Sequence, residues 1–337
     1  MSPSTSQPER GVDVLADDDP VGAFLAAHAR GGRVLLRTSG TSGVPRTVVR
    51  TTASWLDSFP AVESLTGFEA GSRAWIPAPV TGTMNLFAAV HARHLGAEVV
   101  DGPHRATHWF LTPTALRDVL DDGGRFDGVQ AVVAGDRLTV TAHDRAAAAG
   151  LAVAHYYGAA ELSFVAWGPH EAGLRAFPGV ELQVRDGVVW ARSAYLSEGY
   201  AEGDGPYQRD ADGWATVGDH GALVDGVLAV TGRDDVVVTG GATVRVADVE
   251  GLLRPRAAGD LAVVGVPHPR LGEVVAIVLE HADDADVLRP LARAGLDRTQ
   301  QPRRWFALDR LPRTPHGKVD RAAVAEAVRS GAARVLP

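Results

Sequence analysis

Short apolar runs and stretches of helical spacing take turns along the first half of the chain. Val21 to Ala29 has the spacing of a short helix, and Arg33 to Leu36 (RVLL) is an apolar run ending in a Gly/Ser/Thr-rich loop. Val48 to Ser58 reads as a helix. Strand runs then follow at Arg73 to Ile76, Ala97 to Val100, Trp109 to Leu111, Ala131 to Val133 and Leu151 to Ala154, with helical stretches at Met84 to Leu95 and Thr114 to Asp121 between them. Such alternation predicts α/β layers around a largely parallel sheet. Past residue 179 the texture changes. Val180 to Val184 and Val188 to Ala191 flank Arg185-Asp186-Gly187, and Leu223-Val224 and Val227 to Val230 flank Asp225-Gly226. Both are hairpin signals, so this part should be antiparallel. Thr231 to Asp235 is a polar break. Beyond it the pattern is mixed again, with helices expected at Val246 to Leu253, Ala285 to Ala294 and Arg321 to Arg329, and strands at Leu261 to Val266, Glu273 to Glu280 and Arg304 to Leu308. The boundary near Asp235 divides the chain into a large and a small part.

Composition narrows the function. The chain has 337 residues, 45% hydrophobic and 22% charged, as in a globular protein of about two domains. A net charge of −8 argues against nucleic acid, whose phosphates call for a basic stripe. With no Cys there is no disulfide, thiolate zinc site or Cys nucleophile. No apolar run is long enough for a membrane span, and the N-terminus lacks the apolar core of a secretory signal, so a cytoplasmic protein is expected. Residues 1–20, polar and carrying Asp17-Asp18-Asp19, are expected to be a disordered, solvated tail. One count changes the picture further: of 33 basic residues only Lys318 is a lysine. A coding bias explains the arginines. A site needing one compact, mobile ammonium would explain the exception.

Five loops could carry chemistry. Arg37 to Arg46 (RTSGTSGVPR) combines Gly40 and Gly43 with Thr38, Ser39, Thr41 and Ser42, between a strand and an expected helix. Inward N–H groups and hydroxyls of that kind suit phosphate oxygens; the plain alternative is a flexible loop. In Tyr156 to Glu161 (YYGAAE) an aromatic ring could stack on a base and Glu161 could hold Mg²⁺, or the segment is a simple turn. In Asp212 to Gly221, Asp219 could accept two sugar hydroxyls, or be a turn residue. In Gly232 to Glu250, Arg233 could pair with ribose or phosphate and Gly240-Gly241 allow a sharp turn, or the segment is a linker and hairpin. Leu311 to Arg321 (LPRTPHGKVDR) is a Pro/Gly loop carrying Lys318, or a surface turn that happens to keep its lysine.

Together, in this order, the five segments resemble the motifs of the acyl-adenylate-forming superfamily, which includes acyl-CoA synthetases, peptide-synthetase adenylation domains and luciferase. TSGTSGVPR resembles TSGTTGxPK, YGAAE resembles YGxTE, and VGD at 217–219 resembles TGD. GRDD…TGG…DVE resembles GRxDD…GG…EIE, and LPRTPHGK resembles LPxTxxGK. Val263 to Glu273 (VVGVPHPRLGE) is also similar to a C-terminal segment of the family. The likeness runs from about residue 33 to 325. Only about 37 residues precede the first motif, which resembles the short form, such as o-succinylbenzoate–CoA ligases. The departures are Arg46 for the loop lysine, Ala160 for the threonine of YGxTE, and no aromatic or His in Pro77 to Asn85, at the entrance to the acyl pocket.

The resemblance implies an α/β fold. A large N-terminal domain with layered mixed sheets and helices, shortened at its N-terminus, would be joined to a small mobile α+β C-terminal domain. Residues 21–234 would bind nucleotide and acid, and 235–337 would carry Lys318. It implies an AMP-forming acid–thiol ligase using ATP, Mg²⁺ and coenzyme A. A carboxylate attacks the α-phosphorus, pyrophosphate leaves, and a thiol then displaces AMP. The expected acid is o-succinylbenzoate-like, aryl or fatty. The alternatives are an enzyme passing the acyl group to a carrier protein or an amine, and a non-catalytic nucleotide-binding remnant. The implied roles follow the motifs: Thr38, Ser39, Gly40, Thr41, Ser42, Gly43 and Arg46 on the β/γ-phosphates; Tyr157 and Gly158 on adenine, with Gly135 and Asp136 at its edge; Asp219 and Arg233 on ribose. Glu161 would take Mg²⁺, Lys318 would bridge carboxylate and α-phosphate, Asp235 would be the hinge, and Gly240-Gly241 would line a coenzyme A channel. Partners would be small molecules, and a homodimer is compatible with them. His91 and His94 read as a helix face, His155 could line the acid pocket, and His316 reads as a loop residue. Trp109, Phe110 and Phe164 read as core, although Phe164 and Trp167 could also face the acid.

Overall fold

The computed structural model describes residues 11–38, 46–232, 236–314 and 317–337. Its helices are α1 Pro20–Ala29, α2 Ala53–Leu56, α3 Phe59–Thr66, α4 Thr83–Leu95, α5 Pro113–Asp121, α6 Val140–Ala148, α7 Val246–Leu253, α8 Asp284–Gly295 and α9 Arg321–Arg329. A seven-stranded sheet forms the centre of the large part. Strands Glu98–Val100, Arg73–Trp75, His108–Leu111, Gln130–Val133 and Ala152–Ala159 run parallel, and Ser163–Gly168 and Arg175–Ala176 extend the edge antiparallel. Successive residues of its strands bury on opposite faces. Trp109, Leu111, Ala131 and Val133 pack with Leu116 and Leu120 of α5 and Ala146 of α6. Phe110 and Val132 pack with Ala88 and Ala92 of α4. A strand that is apolar on both faces is what a sheet covered on both sides requires.

Helix α4 is buried almost all round, from Asn85 to Ala92. Its alanines allow close approach to the sheet, while Leu86, Phe87 and Val90 join Phe24, Trp55 and Phe59 in a second cluster. Next to that cluster lies a four-stranded sheet, Val12–Asp13, Arg33–Arg37, Thr47–Thr51 and Gly199–Tyr200. An antiparallel sheet built from residues 181 to 232 completes the large part, and its hairpins fall at the two expected Asp-Gly turns.

The small part has its own sheet, drawn from Val236 to Val335. Along Leu261–His268 and Gly272–Leu279 the alternation recurs. Val263, Val275 and Ile277 pack under Val249 of α7 and Leu288 of α8, while Val264, Val274 and Ala276 pack under Val324 of α9. These residues form two clusters that share no member with those of the large part.

Two expectations need correction. Residues 11–19 are not a loose tail: Val12–Asp13 pairs with Arg33–Arg37, Val14 is fully buried, and Asp19 caps α1 by accepting from Gly22 N–H. Its carboxylate also meets Arg93 at 2.6 Å. The acidic run is a helix start, where carboxylates are favoured. The segment from Val48 is not one helix either. Thr47–Thr51 is a strand paired antiparallel to Arg33–Arg37, and helix begins only at Ala53. The β-branched residues Thr47, Val48, Val49 and Thr51 favour the pleated surface.

Candidate active site

The strands on either side of the Gly/Ser/Thr loop therefore pair antiparallel as a hairpin. Its mouth is closed by Thr38: the Thr38 N–H donates to the Arg46 carbonyl at 2.9 Å, and the Arg46 N–H donates to Thr38 Oγ1 at 3.0 Å. The expected phosphate contacts at Ser39, Gly40, Thr41, Ser42 and Gly43 lie outside the described residues. Arg46 Nε donates to the Asp204 carbonyl at 3.2 Å, and its guanidinium stands 5.8 Å from the centre of the Tyr200 ring.

A cavity of about 410 Å³ opens beside this hairpin. Thr38, Arg46, Gly135, Asp136, Tyr157, Gly158, Glu161, Asp219 and Lys318 all line it. Residues from five distant stretches of sequence thus share one space. Asp219 is buried and accepts a hydrogen bond from the Tyr157 hydroxyl at 2.7 Å. Glu161 is buried and its Oε1 accepts from the Tyr200 hydroxyl at 2.7 Å. Gly158 has a packing reason to be glycine, since a Cβ there would stand 2.1 Å from the Ser163 carbonyl oxygen. The strand expected to end at Ala154 runs on to Ala159, which carries both tyrosines into the cavity wall.

Lys318 reaches the cavity from the small part. Its loop is seated on the first turn of α5, where the Thr114 hydroxyl donates to the Gly317 carbonyl at 3.2 Å. Arg313 donates to Thr114 Oγ1 at 2.6 Å. Helix α7 adds Val246, Ala247 and Glu250 to the wall, and Arg254 and Arg321 stand beside them. Burial raises Glu250, yet Arg254 and Arg321 more than offset this and hold its carboxyl below the ordinary range. Gly240 and Gly241 form the turn between Val236–Thr239 and Ala242–Arg245 and do not line this cavity. Arg233, Asp235 and His316 lie outside the described residues.

The cavity also has an aromatic lining. Trp55, Phe87, Tyr156 and Phe164 line it, with Phe164 packed on Tyr156 at 4.5 Å and edge-on to Phe87 at 5.0 Å. Trp167 lies behind Tyr156 and is not part of the lining. His155 does line it. Its Nδ1 donates to the Val133 carbonyl at 2.9 Å, which leaves Nε2 as the acceptor. Burial lowers its pKa to about 4, so the ring is neutral at ordinary pH. His91 belongs to the core, stacked on Phe59 at 4.0 Å with Nε2 at 3.1 Å from Glu63.

Arg50, not singled out from the sequence, is fully buried beneath the Glu161 turn. Nη2 donates to the carbonyls of Ala160 at 3.0 Å and Tyr195 at 3.3 Å, and the guanidinium faces Trp55. Burial lowers its pKa to about 10, with Glu161 and Tyr207 pulling the other way, so it stays charged. Strand parity was the available signal: Arg50 shares a face with buried Val48. Tyr200 was missed as well, because it meets Glu161 only through the pairing of Gly199–Tyr200 with Thr47–Thr51.

No protein-family model matches the chain. A Mycobacterium tuberculosis protein named "Probable 2-succinylbenzoate–CoA ligase" is 31% identical over 329 residues, which span 86% of this chain and 83% of that one. The chain belongs to the acyl-adenylate-forming superfamily. Among solved structures, Escherichia coli MenE with bound OSB-AMS matches with a TM-score of 0.75 at 25% identity, over 88% of this chain and 68% of that one. The amide bond synthetase McbA from Marinactinospora thermotolerans matches with a TM-score of 0.72 at 26% identity, over 96% and 72%. The mixed α/β architecture is the one expected from the motifs, and so is the enzyme class, AMP-forming acid–thiol ligase, which the 2-succinylbenzoate–CoA ligase carries in its name. No helix among the described residues is long and apolar enough to cross a membrane.

Proposed function

We propose that this chain is an ATP-dependent carboxylic acid–CoA ligase acting through an acyl-AMP, and that its acid is aromatic, with o-succinylbenzoate the first candidate. The observation that carries the reading is the meeting of Lys318, Arg46, Glu161 and the Tyr157–Asp219 pair around one cavity. The wall of Trp55, Phe87, Tyr156 and Phe164 favours a flat ring over a long flexible tail, since aromatic edges and faces reward defined geometry. The similarity to the 2-succinylbenzoate–CoA ligase supports the same choice.

In this reading Asp219, oriented by the Tyr157 hydroxyl, accepts the ribose hydroxyls, and the Tyr157 ring lies against adenine beside Gly135 and Asp136. Thr38 and Arg46 hold the phosphate tail. Mg²⁺ enters with ATP as part of the substrate. The described residues offer no cluster of three metal-ligating side chains, so Glu161 would give one carboxylate, with phosphate and water completing the shell, as Mg²⁺ prefers. The acid's carboxylate attacks the α-phosphorus and the bond to pyrophosphate breaks. Lys318 meets the charge that builds on the α-phosphoryl oxygens. For the second step the ammonium must withdraw so that the thiolate of coenzyme A can attack the acyl carbonyl and release AMP. We propose that residues 235–337 turn as a unit about Asp235 to do so, bringing Gly240-Gly241 toward the thiol's path.

A second reading, amide formation from the same acyl-AMP, is favoured by the match to an amide bond synthetase over 96% of the chain. The test is pyrophosphate release with MgATP and a panel of aryl, succinylaryl and fatty acids, followed by addition of coenzyme A or an amine. Aryl-dependent release with coenzyme A as acceptor is expected. Release that yields product only with the amine favours the second reading, and no release with any acid overturns both.

A further inference from the structure

We propose that Arg117 is a positioning residue: an ionic catch on α5 that holds the lobe carrying Lys318 against the nucleotide cavity. Its Nη2 lies 2.9 Å from Asp260 Oδ2, and its Nη1 donates to Glu280 Oε2 at 3.3 Å. Both acids belong to the small part. One turn earlier on the same helix face, Thr114 donates to Gly317, the residue before Lys318. A single face of α5 therefore grips the Lys318 loop and the acids behind it.

Those acids are tied to the loop. Asp260 and Glu280 both receive Arg313, and Glu280 Oε1 also accepts the Leu311 N–H at 3.0 Å. Arg313 donates in turn to the Gly317 carbonyl at 3.2 Å. The chain of contacts runs from Arg117 through the acid pair to Arg313 and on to the Lys318 turn. A catch of this build can open without stranding a buried charge. Asp260 keeps Arg313 and Arg254, and Glu280 keeps Arg313. The Arg117 side chain is already 32% exposed and rehydrates readily. Asp260 and Glu280, at 15% and 11%, stay covered enough for the pair to resist salt better than a surface bridge.

The proposal rests on the reading that Lys318 acts in acyl-AMP formation, and the experiment separates the two. The chain has no cysteine, so Ala148→Cys on α6 and Ser330→Cys after α9 give clean sites for spin labels on the two parts. With MgATP, the parent should show one narrow separation. Arg117→Ala should broaden or shift it, and Arg117→Lys should restore part of it. With the acid identified by pyrophosphate release, Arg117→Ala should slow that release by about ten- to a hundredfold, the scale of a small misplacement of a reacting group. Thioester formation from supplied acyl-AMP should stay within a factor of about two, because the opened lobe is the form that step requires. An unchanged separation, or equal loss in both steps, overturns the catch. If Lys318→Ala leaves pyrophosphate release intact, the underlying reading fails instead.

Discussion

Arg50 is the residue whose chemistry is furthest from what its type suggests. A guanidinium with no exposed surface, Nε and Nη1 lacking protein partners, holds up the backbone from which Glu161 projects. Arg50→Met keeps the volume but strands the Ala160 and Tyr195 carbonyls. It should cost about 1–3 kcal/mol of stability, the penalty for unsatisfied buried groups. It should also raise KM for MgATP more than it lowers kcat. Urea unfolding and ATP titration check this, and an unchanged KM would remove Arg50 from the account. At this scale the sequence was most informative where a residue type was rare or formed a motif, as with Lys318, Glu161 and Asp219. It was least informative where the signal was a partner. Tyr200 and Arg117 act through residues 39 and more than 140 positions away, and no local pattern encodes such contacts.

Some helices and strands were legible from their apolar period, while Phe59–Thr66 and Val140–Ala148 were not. Val246–Leu253 and Arg321–Arg329 fall where their spacing predicts. The strand Thr47–Thr51 was misread because a short apolar run followed by Ser54, Trp55 and Leu56 satisfies a helical period, and only pairing with Arg33–Arg37 decides between the two. The Lys318 loop shows how an element meets its seat. Gly317 has φ +79, and a Cβ there would stand 3.0 Å from Thr112 Oγ1 on the large part. Gly317→Ala should therefore lose about 1 kcal/mol from the left-handed backbone alone. It should also slow acyl-AMP formation by about tenfold by lifting the loop from α5. Parallel assays of the two half-reactions check this, and an alanine variant with normal pyrophosphate release would contradict it.

At the scale of the whole molecule, the turn to antiparallel hairpins was visible as a change of texture after residue 179. The order of strands in each sheet was not, because crossovers join residues that are remote in sequence. Three buried histidines make the large part sensitive to acid. Burial holds His91 and His155 at about 4 and lowers His108 as well. In the unfolded chain each takes up a proton near pH 6.5. Between about pH 6.5 and 4 the unfolded state binds more protons than the folded one, so stability falls as pH drops through that window. By pH 5.0 the neutral His91 and His155 rings each account for about 2 kcal/mol. Glu250, held low in the folded state, works in the same direction at the acid end. Urea midpoints at pH 7.5 and 5.0 should differ accordingly, and His91→Phe, which keeps the stack on Phe59, should shrink the difference. Equal midpoints would contradict the burial argument.

The proposed chemistry depends on one ammonium, that of Lys318, brought by the smaller part to a nucleotide on the larger. The most direct test is to measure both half-reactions in Lys318→Ala. Pyrophosphate release should fall by at least about a hundredfold, the scale for removing one group that stabilises developing charge. Conversion of supplied acyl-AMP to thioester should continue at close to the parent rate. Equal loss of both steps, or release at the parent rate, would contradict it.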